Sequence, residues 1–179
     1  MGELRRDYFT NKIVLTSTKK NESPKPREEK THTPIQKSVE PKCILCPGNE
    51  EKTKSAVMVL IQKEGALMKM SDEDYAPVKD WIVRVIPSEE PVVSPTPRPA
   101  YSDQPLYSEP AHGHHYIMVV SPNHYEDFTN MSTEQMINVL TSLQDKIRGL
   151  YNQKKVSYVA VIMNNGEEAG AKYTHPHLE

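Results

Sequence analysis

The sequence contains no run of about 18 apolar residues, so no membrane-spanning helix is expected. Cysteine is scarce, with two in 179 residues, which excludes a disulfide framework. The opening stretch Met1-Gly2-Glu3-Leu4-Arg5-Arg6-Asp7 lacks the apolar centre of a secretory signal. Export by that route is not expected, and a cytoplasmic location is. Neither sign of charge dominates: the net charge of −2 argues against a general nucleic-acid surface. The charge is unevenly spread, with 12 Lys/Arg against 8 Asp/Glu in residues 1–54 and 10 against 16 in the rest. Such a mild basic bias suits a phosphate as well as a solvated arm, and the arm is the plainer reading. With 36% hydrophobic and 26% charged residues, the chain fits a soluble globular class with a polar surface and loose segments. Its length suits one domain, or half of a larger one, able to bury about 70% of its unfolded surface.

Proline is plentiful: 15 residues against an average usage of roughly 5%. Seven fall between Pro87 and Pro110, so that span reads as a loop, since a central strand cannot lose so many N–H donors. Residues 19–42 are rich in Lys, Glu, Pro and Ser without an apolar period and read as a second long loop or arm. Outside these loops lie short strand-like runs at 13–18, 56–61, 81–86 and 114–120. Ser132 followed by Gln135 predicts a capped helix start. Met136, Val139, Leu140, Leu143, Ile147 and Leu150 then predict one buried helical face. Val156 to Met163 is almost wholly apolar and predicts a central strand. Strands outnumber helices, which makes the fold class α+β.

Three segments could carry chemistry. Cys43-Ile44-Leu45-Cys46-Pro47-Gly48-Asn49-Glu50 is a tight knuckle that presents two thiolates to one ion. Redox use is the competitor, but no βαβ context follows. Zinc would need two further ligands, and spacing does not choose among His32, His112, His114, His115, His124, His175 and His177. His175-Pro176-His177 is stiffened by proline, and in an extended chain its imidazoles leave one face about 7 Å apart. Such a pair can share a metal, or divide metal binding from reaction; a solvated tail is the alternative. Asn164 to Ala171 follows the apolar run with two glycines, which lets backbone N–H groups approach a phosphate. The order of strand, glycine loop and histidine pair would set a nucleophile beside a phosphate cradle.

Taken together, Glu3-Leu4-Arg5-Arg6-Asp7, the Cys43–Glu50 knuckle, Trp81-Ile82-Val83-Arg84-Val85, Ser121-Pro122-Asn123-His124 and the stretch from Asn164 to His177 resemble, in order, the N-terminal half of the galactose-1-phosphate uridylyltransferase family of the histidine-triad superfamily. The resemblance implies a histidine-triad-like half spanning 1–179, with an antiparallel sheet packed on a long helix. The family's second half, which completes the fold and supplies hexose-phosphate contacts, is expected to be absent. It implies zinc on Cys43, Cys46, His124 and His175, in a mainly structural role, and His177 as the nucleophile. In the family this histidine attacks the α-phosphorus of UDP-glucose, glucose 1-phosphate leaves, and galactose 1-phosphate takes the uridylyl group, a ping-pong scheme. Phosphate contacts map to Asn164 and Gly170.

The departures from the pattern are Glu179 where the family has a phosphate-bonding Gln, Lys172 where it often has Ser, and Lys25-Pro26-Arg27 in place of an Arg-Pro. A further one is Pro87-Ser88-Glu89-Glu90-Pro91 in the uracil-holding segment, with Ser88 the candidate contact. The implied partners are a UDP-sugar and a hexose 1-phosphate, with neither nucleic acid nor membrane, and a homodimer is a further expectation. ADP-sugar or dinucleoside-polyphosphate phosphorylase or hydrolase chemistry is the alternative enzyme. A zinc-stabilised nucleotide-binding domain without turnover is the alternative outside enzymes.

Overall fold

The structure, a computed structural model, describes residues 2–17, 43–73, 76–97 and 108–179. The expected arm at 19–42, with Lys25 and Arg27, lies outside the described residues. Five strands form the main sheet: β3 (Met58–Lys63), β4 (Ala66–Met70), β5 (Trp81–Pro87), β7 (Tyr116–Val119) and β8 (His177–Leu178). Their order is β4-β3-β5-β7-β8, and every neighbouring pair is antiparallel. A smaller sheet has the order β2-β1-β6, from β1 (Gly2–Arg6), β2 (Ile13–Ser17) and β6 (Ser108–Pro110). One long helix, α1 (Thr133–Tyr151), lies over β5. The α+β class is therefore the observed one.

Both faces of the main sheet are covered at its centre, which explains why β5 is buried along most of its length, while the edge strand β4 is exposed throughout. On the helix side Leu60, Val83, Val85, Met118, Val120 and Leu178 pack with Val139 of α1. On the opposite side Val59, Trp81, Ile86, Ile117 and Val119 pack with Leu45 of the cysteine knuckle. The second face carries the chemistry. Because side chains alternate along a strand, His177, opposite Val119, belongs to it, while Leu178, opposite Met118, belongs to the helix side.

Several expectations need correction. β1 and β4 were not foreseen. The Glu64-Gly65 pair between β3 and β4 is the signal that could have revealed β4. Both residues have positive φ (52° and 81°), the requirement of a two-residue hairpin turn. The proline-rich span is not all loop. Pro87 closes β5 beyond its last pairing with β3, and Pro110 ends the edge strand β6, the two settings in which a strand tolerates a missing N–H.

The helix starts as predicted, with Ser132 Oγ accepting from the Gln135 N–H at 3.1 Å. The reciprocal half of the capping box is not made. Gln135 Nε2 instead donates to the carbonyls of Ile82 (3.1 Å) and Val120 (2.5 Å), docking the helix start on the sheet. The buried face centres on Asn138, Val139 and Ser142, while Leu140 is 52% exposed. Val156 to Met163 is no central strand. It lies beside β8, joined to it by two reciprocal 2.8 Å bonds between Ile162 and Glu179, and Tyr158, Val161, Ile162 and Met163 are exposed.

Candidate metal centre and active site

The knuckle folds through local bonds. The Cys46 N–H reaches the Cys43 carbonyl (3.2 Å), the Asn49 side-chain amide reaches the same carbonyl (2.9 Å), and Gly48 takes φ +84°. Buried Glu50 then ties the knuckle to the core. It accepts from the Gly48 N–H at 3.0 and 3.1 Å and from Trp81 Nε1 at 3.0 Å. Beneath it runs an ion pair buried on both sides, Arg84 with Asp72 at 2.5 Å, and Asp72 also accepts from the N–H groups of Ala56 (2.7 Å) and Val78 (2.9 Å). Sequence reasoning missed both anchors. The one hint was Arg84, a charged residue inside the apolar run Trp81 to Ile86.

His124 arrives on the turn after β7, shaped by Asn123, whose side chain accepts from the Tyr125 N–H at 3.1 Å. His175 stands just ahead of β8 and is fully buried. The donor atoms of Cys43, Cys46, His124 and His175 all lie within 4.8 Å of one another. Cys46 Sγ is 3.3 Å from His124 Nδ1 and 3.5 Å from His175 Nδ1. A tetrahedral zinc with ordinary Zn–S and Zn–N lengths sets such an S···N edge at roughly 3.6 Å, so the donor set fits. The outer contact fits as well. His175 Nε2 donates to the Ser121 carbonyl at 2.8 Å, which leaves its Nδ1 lone pair facing the sulfur.

Burial shifts two of these donors toward their neutral forms. Burial, with Cys43 beside it, pushes the Cys46 thiol up to about 11. Burial holds the His175 imidazole below its ordinary value against the Ser121 bond, with His124 and His177 adding to the effect. A neutral imidazole is the form that ligates, and a cation entering the pocket would displace the thiol protons.

His177 is buried and carries its own constraint. Its Nδ1 lies 2.8 Å from the carbonyl oxygen of His175. Only an N–H can donate to that oxygen, so the lone pair resides on Nε2. Tyr173 stands edge-on to the ring at 5.4 Å. Glu179 Oε1 is 3.8 Å from Nε2, and Glu179 Oε2 is 2.9 Å from His115 Nε2.

The remaining predicted contacts are more scattered. Gly170 sits at φ +85° at the end of an exposed loop, and Asn164 is half-buried before it. Lys172 Nζ lies 3.6 Å from Glu90 and 5.5 Å above the Tyr173 ring. Ser88 is buried, its hydroxyl accepting from the Glu90 N–H (3.3 Å) and its carbonyl from Lys54 Nζ (2.8 Å).

This geometry can be set beside known proteins. The family model described as "Galactose-1-phosphate uridyl transferase, N-terminal domain" matches residues 2–178. The chain belongs to that family. An ADP-glucose phosphorylase of Arabidopsis thaliana is 24% identical over 182 residues, covering 99% of this chain and 47% of that protein. A galactose-1-phosphate uridylyltransferase of Saccharomyces cerevisiae is 23% identical over 181 residues, covering 97% and 46%. The chain thus spans about half the length of these relatives. Among solved structures, a uridylyltransferase superposes with a TM-score of 0.66 at 23% identity, covering 98% of this chain and 44% of its own. The ADP-glucose phosphorylase of Arabidopsis thaliana with bound ADP-glucose does so at 0.58 and 20%, covering 99% and 47%. At these identities the structures establish the shared fold. Among the described residues no helix is long and apolar enough to cross a membrane.

Proposed function

We propose that this member of the uridyl transferase family is the nucleotide-handling part of a nucleotidyltransferase, with His177 as its nucleophile. The observation that carries the reading is the 2.8 Å bond from His177 Nδ1 to the carbonyl of His175, itself a member of the Cys43, Cys46, His124, His175 cluster. It fixes the tautomer and leaves the Nε2 lone pair on the side of Glu179. That nitrogen attacks the α-phosphorus of a nucleoside diphosphate sugar, the bond to the sugar phosphate breaks, and a nucleotidyl-histidine remains. A hexose 1-phosphate or another phosphate then takes the nucleotidyl group and regenerates the imidazole. The cluster would hold zinc, whose contribution when bound is structural: it clamps the chain that orients His177. Asn164, Gly170 and Lys172 would contact the phosphates and Ser88 the base side. Lys25 and Arg27 would add positive charge.

UDP-glucose and galactose 1-phosphate are the leading substrates, which places the activity in galactose metabolism in a cytoplasmic, soluble setting. The 1–179 region would serve as the N-terminal half of such an enzyme, working as a homodimer. An ADP-sugar phosphorylase is the second reading, favoured by the altered segment Pro87 to Pro91 and by the similarity to ADP-glucose phosphorylase. Intact mass after incubating zinc-loaded full-length protein with UDP-glucose or ADP-glucose tests both. The expected result is a covalent nucleotidyl adduct that His177→Gly abolishes, and the base that labels identifies the substrate. An absence of adduct with either would leave a binding module without turnover.

A further inference from the structure

Glu179 is held in an unusual way for a carboxylate beside a phosphate site. Its backbone is pinned by the reciprocal 2.8 Å bonds with Ile162. Its side chain is clamped by His115, the residue just before β7 on the same sheet face. The Val92 N–H donates to His115 Nδ1 at 3.3 Å, so that nitrogen carries a lone pair and Nε2 carries the proton. His115 Nε2 therefore donates to Glu179 Oε2 at 2.9 Å as a neutral imidazole and lends the carboxylate no positive charge. The other oxygen, Oε1, has no hydrogen bond among the described residues and faces His177 Nε2 at 3.8 Å. That gap is too long for a hydrogen bond, yet any phosphoryl group bonded to Nε2 would have its oxygens against Oε1. Among the described residues the Lys172 ammonium pairs with Glu90, at 3.6 Å, and not with Glu179.

An ionised carboxylate only accepts hydrogen bonds. It repels an incoming phosphate acceptor and attracts a neutral molecule that brings an O–H. We infer that Glu179 is a general base that directs water onto the nucleotidyl-His177 intermediate, giving this protein a sugar-nucleotide hydrolase activity. The inference rests on His177 being the nucleophile. In the step, the water oxygen bonds to phosphorus and its proton passes to Glu179 Oε1. The P–Nε2 bond breaks with its electron pair returning to Nε2, and a nucleoside monophosphate leaves. Glu179 then releases the proton to solvent. General-base assistance of this kind is worth about 100-fold or more. His115 is a positioning residue that acts through Glu179.

The test uses full-length protein loaded with UDP-glucose and, in parallel, ADP-glucose, then freed of the sugar nucleotide. Adduct lifetime in water is followed by intact mass. The partition between nucleoside monophosphate and phosphate-transfer product is measured in the presence of inorganic phosphate. Glu179→Gln is expected to lengthen the adduct lifetime at least ten-fold and to shift the partition toward phosphate transfer. Glu179→Asp, which keeps the carboxylate, should restore part of the hydrolysis. The partition is a ratio and does not change if part of a variant sample is unfolded. Equal lifetimes and equal partition in wild type and Glu179→Gln would overturn the hydrolytic role while leaving His177 as nucleophile. If no adduct forms even in the wild type, both readings fall together.

Discussion

The cysteine knuckle and the Gly166–Gly170 loop flank the same histidine strand but are built in opposite ways. The knuckle is sunk into the sheet by Leu45 and by Glu50, which is bonded to Gly48 and Trp81. The glycine loop is exposed along its length, and its backbone bonds are local turns: Gly170 to Glu167, and Ala169 and Ala171 to Gly166. The contrast follows from the work each would do. A metal clamp gains from preformed donors, because misplacing a ligand by a fraction of an ångström costs coordination. A phosphate loop needs open N–H groups and room for a ligand to settle.

The largest break in this contrast comes from removing a donor in the knuckle. Cys46→Ser should lose about one equivalent of zinc by elemental analysis and cost about 4 kcal/mol or more of stability, the scale of losing a structural metal. Retained zinc with an unchanged melting temperature would mean the cluster holds no metal. The next effect falls on the anchor. Glu50→Ala strips a buried acceptor from the Gly48 and Trp81 N–H groups, and about 2 kcal/mol is expected from a denaturant curve.

The same anchor predicts acid lability. Burial pushes the Glu50 carboxyl up, but bonds from its own backbone N–H, from Trp81 and from Gly48, with Arg84 nearby, outweigh this and hold it below its ordinary value of 4.5. A carboxyl lowered on folding contributes fully above about pH 4.5, and that contribution is lost as pH falls through the folded value. Trp81, the one tryptophan, touches Glu50 directly, so its fluorescence should report loosening of the knuckle in acid before global unfolding. A flat signal down to global unfolding would remove Glu50 from the anchor.

The smallest effect sharpens the comparison. Gly48 and Gly170 share nearly the same positive φ, and neither has an atom within 4 Å of where a Cβ would sit. Alanine at either should therefore cost a similar backbone strain, about 1 kcal/mol. Gly48→Ala should spend it on melting temperature and zinc retention. Gly170→Ala should spend it on nucleotide affinity, read by calorimetry, with little change in melting. Equal loss of stability at both sites would mean the loop is as structural as the knuckle.

Legibility in the sequence tracked the range of the interaction. Ser132 capping Gln135 and the Cys43–Cys46 turn rest on contacts a few residues apart, and the strand at Trp81 on a local β-rich run, so each is readable. The exposure of Leu140 is not, because a helical period shows that one face is buried without fixing its rotation; Gln135, drawn to Ile82 and Val120, settles that. Val156 to Met163 looked central because an apolar run cannot show whether a neighbour covers it, and the structure places it beside β8 with exposed side chains.

By itself the sequence determined the α+β class, the thiol pair, the stiffened His-Pro-His and the absence of a membrane-spanning apolar run, because local geometry and composition suffice for these. Its spacing left seven histidines open as metal partners, and resemblance named two. Only the tertiary structure brings His124 and His175 to Cys46, across 78 and 129 residues of chain. Only it sets His115 behind Glu179 and Glu50 under Trp81. These pairings depend on the strand order β5-β7-β8, and strand order is settled by burying both faces of one sheet at once.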